Sequence, residues 1–344
     1  MKIIRKRAYA RAGVIGNPSD GYGGRTIAMT LGNFFADVVM YPWDRLEIVW
    51  SEQDQNRFES IDDLLSDVTL NGDYGGVRLV KASIKRFVEF CRRAGHPLHE
   101  HPFSVRYETR IPRGLGLSGS SAIVVATLRC LMEFYDVAIP LPLQASLARS
   151  VENDELLIAC GYQDRVSQVY QGLVLMDFSS MQQEQGLEYG HYEYVEPDRL
   201  PTLYVAFDAA ASKTSASVHG PLRTRLANDE QLAQTMREIA ALVPAARDAI
   251  LAGERDQLHE LMDRNFDLRQ SLYTIRPEHL ALIHAARRCG ASAKFAGSGG
   301  AIIGTCENEA ARERLRDALQ AQNSNWQLIA PQLVPVPAGE RGKL

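Results

Sequence analysis

The chain has 344 residues, 45% of them hydrophobic and 23% charged, with a formal net charge of -4. That length suits about two domains with a core in each, and the mildly acidic balance with scattered positives excludes the basic footprint of a nucleic-acid binder. The five cysteines form no close pair and no metal spacing, so they read as reduced thiols of a cytoplasmic protein, and Arg129 interrupts the longest apolar run before it reaches membrane-spanning length.

Residues 7–16 read as a first strand. It ends in Gly16-Asn17-Pro18-Ser19-Asp20-Gly21-Tyr22-Gly23-Gly24, a tight turn by composition. Asp20 within it can either grip the hydroxyls of a ligand or order its own loop as an Asx-turn. Strand-like sequence resumes at Arg25 to Met29, and Leu46, Ile48 and Trp50 alternate as another strand. Residues 53–76 are polar and broken, a surface excursion. Over 77–94 the spacing is helical, with Val80, Ile84, Phe87, Val88 and Cys91 inward and Lys81, Lys85, Arg92 and Arg93 on a solvated face.

Residues 102–111 alternate strictly, which predicts a half-buried, antiparallel strand. After it come Pro112-Arg113-Gly114-Leu115-Gly116-Leu117-Ser118-Gly119-Ser120-Ser121-Ala122 and an apolar helix over 122–135. In a strand, glycine loop and helix start, the unpaired N–H groups of the first turn can cradle phosphate, and the serines add hydroxyls for phosphate or a metal. Gly114-x-Gly116-x-x-Gly119 also satisfies a dinucleotide fingerprint, with Glu133 or Asp136 as ribose ligand. Those acids lie in or just after the same helix, however, and the strand before the loop is not continuously apolar. A Walker A reading places Ser120 where the lysine belongs, so the charge that reaches the terminal phosphates is missing. A glycine turn without a ligand stays as the plain alternative.

A stiff connector, Ile139-Pro140-Leu141-Pro142, leads to a helix over 143–159 that holds Glu152, either aimed into a site or solvated. Asp164 opens the next helix, where it is either a functional carboxylate or a cap. Residues 172–178 form a strand. The polar stretch 179–201 marks the division into an N-terminal domain, 1–190, and a C-terminal domain, 191–344. Beyond it come a strand over 202–207, a small polar lid-like segment over 209–219, and helices over 228–242, 245–252, 256–272 and 278–289. The glycine turn Lys294-Phe295-Ala296-Gly297-Ser298-Gly299-Gly300 then joins two strands, with a helix over 309–321 and a strand over 328–336 to close.

Three glycine loops in this order carry a resemblance to the GHMP kinase superfamily, named for galactokinase, homoserine kinase, mevalonate kinase and phosphomevalonate kinase. Arg11-Ala12-Gly13-Val14-Ile15-Gly16-Asn17-Pro18-Ser19-Asp20 resembles its first motif, Pro112 to Ala122 its second and Lys294 to Gly300 its third. Within it the chain is most similar to the glucuronokinases. That likeness rests on Gly16 to Asp20, Gly116 to Ile123, Gln163-Asp164-Arg165-Val166 and Asn265-Phe266-Asp267-Leu268-Arg269.

The resemblance implies an α+β fold of two domains, an N-terminal one of the ribosomal-protein-S5 type and a ferredoxin-like C-terminal one, with the active site between them. It implies ATP and Mg²⁺ as cofactors. Nucleotide would be held by Pro112, Gly114, Leu115, Gly116, Leu117, Ser118, Gly119, Ser120, Ser121 and Ala122. Ser121 and Glu152 would hold the metal, Asp164 would align or deprotonate the acceptor hydroxyl, and Arg11 would stand beside it. Asn17, Asp20, Gly297, Ser298 and Gly299 fall to the substrate. A uronate carboxylate should be met by a cation, and the candidates by position in a loop or at a helix start are Arg25, Arg165 and Lys213.

One departure is Asn17-Pro18 where the first motif normally carries Glu-His; a neutral Asn suits an anionic substrate. The expected reaction is phosphorylation of the anomeric hydroxyl of glucuronate. The alternatives are a kinase for a neutral sugar (galactose, fucose, arabinose) or a heptose phosphate, and a catalytically silent nucleotide-binding regulator. No nucleic acid or membrane partner is expected, and the chain is expected to be a monomer or homodimer.

Overall fold

The computed structural model describes residues 2–49, 75–210 and 229–337. Six strands build the first sheet: β1 (Ile4–Ile15), β2 (Arg25–Pro42), β3 (Glu47–Val49), β4 (Phe103–Thr109), β5 (Leu173–Glu184) and β6 (Leu187–Tyr194). The 18-residue β2 is its spine. Along one edge it pairs antiparallel with β1, from Ile4 opposite Met40 to Ile15 opposite Ile27. Along the other edge its first part takes β5 and its last part takes β4, both antiparallel. The alternation of residues 102–111 is thus realised as β4, with Phe103, Val105 and Tyr107 buried and Arg106 and Glu108 exposed.

Helices α1 (Gly76–Ala94), α2 (Gly119–Phe134), α3 (Leu141–Ser150) and α4 (Gln163–Tyr170) belong to this half, and α2 and α4 lie against β1 and β2. The second half carries an antiparallel sheet of β7 (Leu203–Asp208), β8 (Lys294–Phe295), β9 (Ala301–Thr305) and β10 (Trp326–Ile329) in the order β10-β7-β9-β8. Its helices are α5 (Glu230–Ala252), α6 (Arg255–Leu272), α7 (Pro277–Arg288) and α8 (Glu309–Gln322).

The core under the first sheet reaches across the seam. Val243, Ala246, Ala249 and Ile250 of α5, with Leu258 and Met262 of α6, pack into it beside Val14, Ile15 and Met29. A second core under the smaller sheet gathers Tyr204, Phe266, Ile283, Phe295 and Leu315. Each fully buried large apolar side chain contributes roughly 1.5–3 kcal/mol, so this shared packing fixes the two halves against each other. All three glycine loops come to that seam.

Several boundaries differ from the sequence reading, for physical reasons. The division at 190/191 falls inside β6, because its pairing with β5 runs on to Tyr194. Helices expected over 228–242 and 245–252 are one helix, α5, that continues through Pro244. Its buried face, Met236, Ile239, Val243, Ala246 and Ile250, keeps helical spacing across the proline and outweighs the lost hydrogen bond. The helix expected over 143–159 ends at Ser150 and widens into a π-turn, Val151–Glu155, that turns Glu152 inward. The last strand is shorter, and Leu333 makes a single bridge to Leu31 instead. The excursion expected over 53–76 and the lid segment over 209–219 lie almost wholly outside the described residues, and Lys213 lies outside them.

Candidate active site

The second glycine loop follows β4 directly. Thr109 Oγ1 accepts from the Ile111 amide at 3.1 Å and starts the turn. At the start of α2, Ser118 sits in the left-handed region with φ 66° and offers no side-chain cap. Its buried hydroxyl faces the Asp164 carboxylate and helps hold that group ionised. Ser121 Oγ donates to the Ser118 carbonyl at 3.2 Å. The amides of residues 119–121 are therefore left at a positive helix terminus as a cradle for phosphate. Gly116 has φ +65°, and a Cβ there would lie 2.7 Å from the Gly299 carbonyl, so the second and third loops touch backbone to backbone.

Arg11, buried on β1, joins four parts of the site. Its Nε and Nη2 both donate to Asp164 Oδ1, at 2.8 and 2.5 Å, while Nη1 donates to the Gly116 carbonyl at 2.7 Å and the Ala296 carbonyl at 3.1 Å. Asp164 lies in the first turn of α4 and keeps 24% side-chain exposure, so it opens to the cleft. Burial pushes its carboxyl upward, but the charges of Arg11 and Arg165 outweigh this and hold it below the usual carboxylate range.

Arg165, the next residue, turns the other way. Its guanidinium makes a buried pair with Glu152, with Nε 3.0 Å from Oε2 and Nη2 on the same oxygen, and its Nη1 is 3.5 Å from Asp164 Oδ2. Arg165 and Glu152 side chains are only 4% and 1% exposed. Arg165, expected among the cations for a uronate, is thus committed to two site carboxylates.

On the acceptor side, Asp20 Oδ2 accepts from the Gln163 amide at 3.1 Å. Gly161 is required beside it, since a Cβ there would come within 2.0 Å of that oxygen. Burial raises the Asp20 carboxyl above its ordinary value, against the Gln163 N–H and with the repulsion of Asp164. Arg25, the other described cation expected for a uronate, is partly exposed with its Nε 2.6 Å from Asp177 Oδ2. Asn17 is buried, and both ends of its side chain are used inside the protein. Nδ2 donates to the Phe295 carbonyl at 3.2 Å and Oδ1 accepts from Lys294 Nζ at 2.5 Å.

Three further residues shape the site. Asn265 of α6 clasps the first loop, accepting from the Gly16 amide at 2.8 Å and donating to the Asn17 carbonyl at 3.2 Å. One turn on, Arg269 clasps the third loop, donating to the carbonyls of Gly297 at 2.7 Å and Ser298 at 3.2 Å. Lys294 sits between them. The signal for the first two was the i, i+4 spacing inside Asn265-Phe266-Asp267-Leu268-Arg269, which puts two polar groups on one helix face.

The donors present fit Mg²⁺. Ser121 supplies a hydroxyl and Glu152 a carboxylate whose Oε2 is held by Arg165, the hard oxygen ligands this ion prefers. No group of three or more His, Cys, Asp or Glu able to hold an ion occurs among the described residues. Mg²⁺ needs no such group where one or two carboxylates are joined by substrate phosphates.

A phosphate cradle, a carboxylate gripped by an arginine and a second acidic loop, all at the seam of two α+β halves, define a phosphotransferase of the GHMP type. Comparison with known proteins agrees. The model for the GHMP kinases N terminal domain matches residues 78–172, and that for GHMP kinases C terminal matches 246–325. Two Arabidopsis thaliana proteins are close relatives. Probable glucuronokinase 2 is 40% identical over 97% of this chain and 92% of its own length, and glucuronokinase 1 is 42% identical over 88% and 85%. Among solved structures, Streptococcus pneumoniae phosphomevalonate kinase superposes with a TM-score of 0.74 at 16% identity, over 97% of this chain and 100% of that one. Lactococcus lactis galactokinase gives 0.71 at 15%, over 96% and 94%. The chain belongs to the GHMP kinase family.

Proposed function

We propose that the protein is an ATP- and Mg²⁺-dependent kinase that phosphorylates the anomeric hydroxyl of glucuronate, giving the sugar 1-phosphate. The observation that carries the reading is Asp164, ionised by Arg11 and open to the cleft beside the phosphate cradle. Its support for the acceptor is the likeness to two glucuronokinases over most of the chain.

Phosphoryl transfer depends on positioning and charge neutralisation more than on covalent help. The amides and dipole at the start of α2 receive the nucleotide phosphates. Ser121 and Glu152 would hold Mg²⁺, which when bound neutralises phosphate charge. Asp20 grips sugar hydroxyls, and Asp164 receives the proton of, or aligns, the attacking oxygen. Asn17, Gly297, Ser298 and Gly299 form the floor beneath the acceptor, and the N-terminal nucleotide-binding part and the C-terminal part meet there. No helix among the described residues is long and apolar enough to cross a membrane.

The test is an ATP-consumption assay over glucuronate, galacturonate, glucose, galactose, fucose and arabinose, with the product's phosphate position read by ³¹P NMR. Glucuronate is expected to show the highest kcat/KM. A neutral sugar that outperforms it would move the acceptor assignment to that sugar.

A further inference from the structure

Lys294 is 1% exposed, at the start of the third loop and beneath the first. Its ammonium reaches three oxygens: the Gly13 carbonyl at 2.7 Å, Asn17 Oδ1 at 2.5 Å and the Phe295 carbonyl at 2.9 Å. All three are acceptors, one for each N–H of an ammonium, which is the arrangement a charged lysine needs. None is a carboxylate. Among the described residues no Asp or Glu lies within ion-pair distance of Lys294, and the charges acting on it, from Arg269 and Arg11, share its sign. Burial and those neighbours hold its pKa well below the ordinary lysine value, while three accepting oxygens at hydrogen-bond distance are the geometry that suits an ammonium. Arg269, 2% exposed, is likewise hydrogen-bonded to the Gly297 and Ser298 carbonyls and to Tyr273, with no acid in reach among the described residues.

Three other described cations of the site have acidic partners. Arg11 is met by Asp164, Arg165 by Glu152 and Arg25 by Asp177. Among these described cations, positive charge is therefore left over at the join of first and third loops. The same cations fix the orientation of the third loop: the carbonyls of residues 295, 296, 297 and 298 each accept from Lys294, Arg11 or Arg269. In a trans peptide the following N–H points opposite to the carbonyl, so the amides of Gly297, Ser298 and Gly299 are turned away from the cations. Backbone N–H groups presented together in a turn form a seat for an anion.

We infer that Lys294, seated on the neutral Asn17, is a specificity-determining residue that selects an acceptor bearing a carboxylate without touching it, by leaving positive charge under the first loop and setting the amides of the third. This rests on the kinase reading above and names the part of the site that meets the uronate charge. A buried charge is felt at a distance because little water screens it, and a carboxylate in place of Asn17 would cancel it.

The experiment compares Asn17→Asp and Lys294→Met with the unaltered full chain. The readout is the ratio of kcat/KM for glucuronate to that for its neutral isostere glucuronamide, with Tm followed alongside. Asn17→Asp gives Lys294 an internal counter-ion at the expense of the Nδ2 donor to the Phe295 carbonyl, so Tm reports whether the fold is kept while the charge is lost. The ratio is expected to fall about tenfold in both variants, through KM for the acid, with KM for ATP little changed. A purely structural role would lower both acceptors alike. An unaltered ratio in a folded Asn17→Asp protein, where the parent prefers glucuronate, overturns this inference and leaves the kinase assignment standing. A parent that phosphorylates neither compound but accepts galactose overturns both.

Discussion

Arg11 places two N–H donors on a single oxygen of Asp164, at 2.8 and 2.5 Å, and so turns the other oxygen toward Arg165, 3.5 Å away. A carboxylate gripped on one oxygen has its second oxygen available to an acceptor hydroxyl, and its rotation is fixed. The same guanidinium holds the carbonyls of Gly116 and Ala296, so the distance between aspartate, phosphate loop and third loop is set by one side chain.

Asp164→Asn keeps the shape and removes the charge. It is expected to lower kcat by roughly 10²–10⁴-fold, the range for losing a positioned proton acceptor. Nucleotide binding, which rests on the amides of α2, should stay as it is. Steady-state kinetics with a nucleotide-binding titration checks both halves; turnover equal to the parent's would take Asp164 out of the mechanism.

Asp20 and Asp164 have carboxyls pushed in opposite directions, Asp20 up by burial and Asp164 down because Arg11 and Arg165 outweigh burial. As pH falls, Asp20 takes its proton first. Acid should therefore raise KM for the acceptor before it lowers kcat, and Asp20→Asn should flatten that rise while weakening acceptor binding throughout. The stability signs also differ. The contribution of Asp164 is present above its unfolded pKa and lost as pH falls through its depressed folded one. Asp20 works the other way, with stability lost as pH rises from its unfolded pKa to its raised folded one. A pH series of KM and kcat for the two proteins decides the matter, and an acid limb confined to kcat would contradict it.

Much of this site could be read before the structure, because glycine loops and the residue types around them are local signals. Gly114 to Ser121, with a strand before and a helix after, marks a phosphate cradle in one stretch of chain. Arg11, Asp20, Glu152 and Asp164 came from the family resemblance, since each alone is an ordinary polar residue on a strand, turn or helix. The partners of the loops were hidden for a different reason. Asn265 acts on the first loop roughly 250 positions away and Lys294 on Gly13 and Asn17, so their roles exist only once the two halves pack, while the role of Arg269 exists only once α6 packs beside the third loop within the second half. Packing explains why α5 runs through Pro244, against the first half's core, and why the chain at Glu152 widens, where the carboxylate turns in to Arg165. In both places a buried face overrides the local propensity.

The pair of Glu152 and Arg165 permits a test that separates a structural acid from a metal-binding one. Both side chains are buried, so Glu152→Gln leaves an arginine with only the more distant Asp164, 3.5 Å from Nη1, as its counter-charge. Breaking a buried pair from one side costs about 3 kcal/mol, and the double variant Glu152→Gln/Arg165→Met, which removes both charges, should recover much of it. Chemical denaturation at neutral pH measures this. If Glu152 also holds Mg²⁺, the single variant should need a several-fold higher metal concentration for half-maximal rate, and the double variant should keep that need despite its restored stability. A stability loss with an unchanged metal requirement would show that Glu152 serves Arg165 alone.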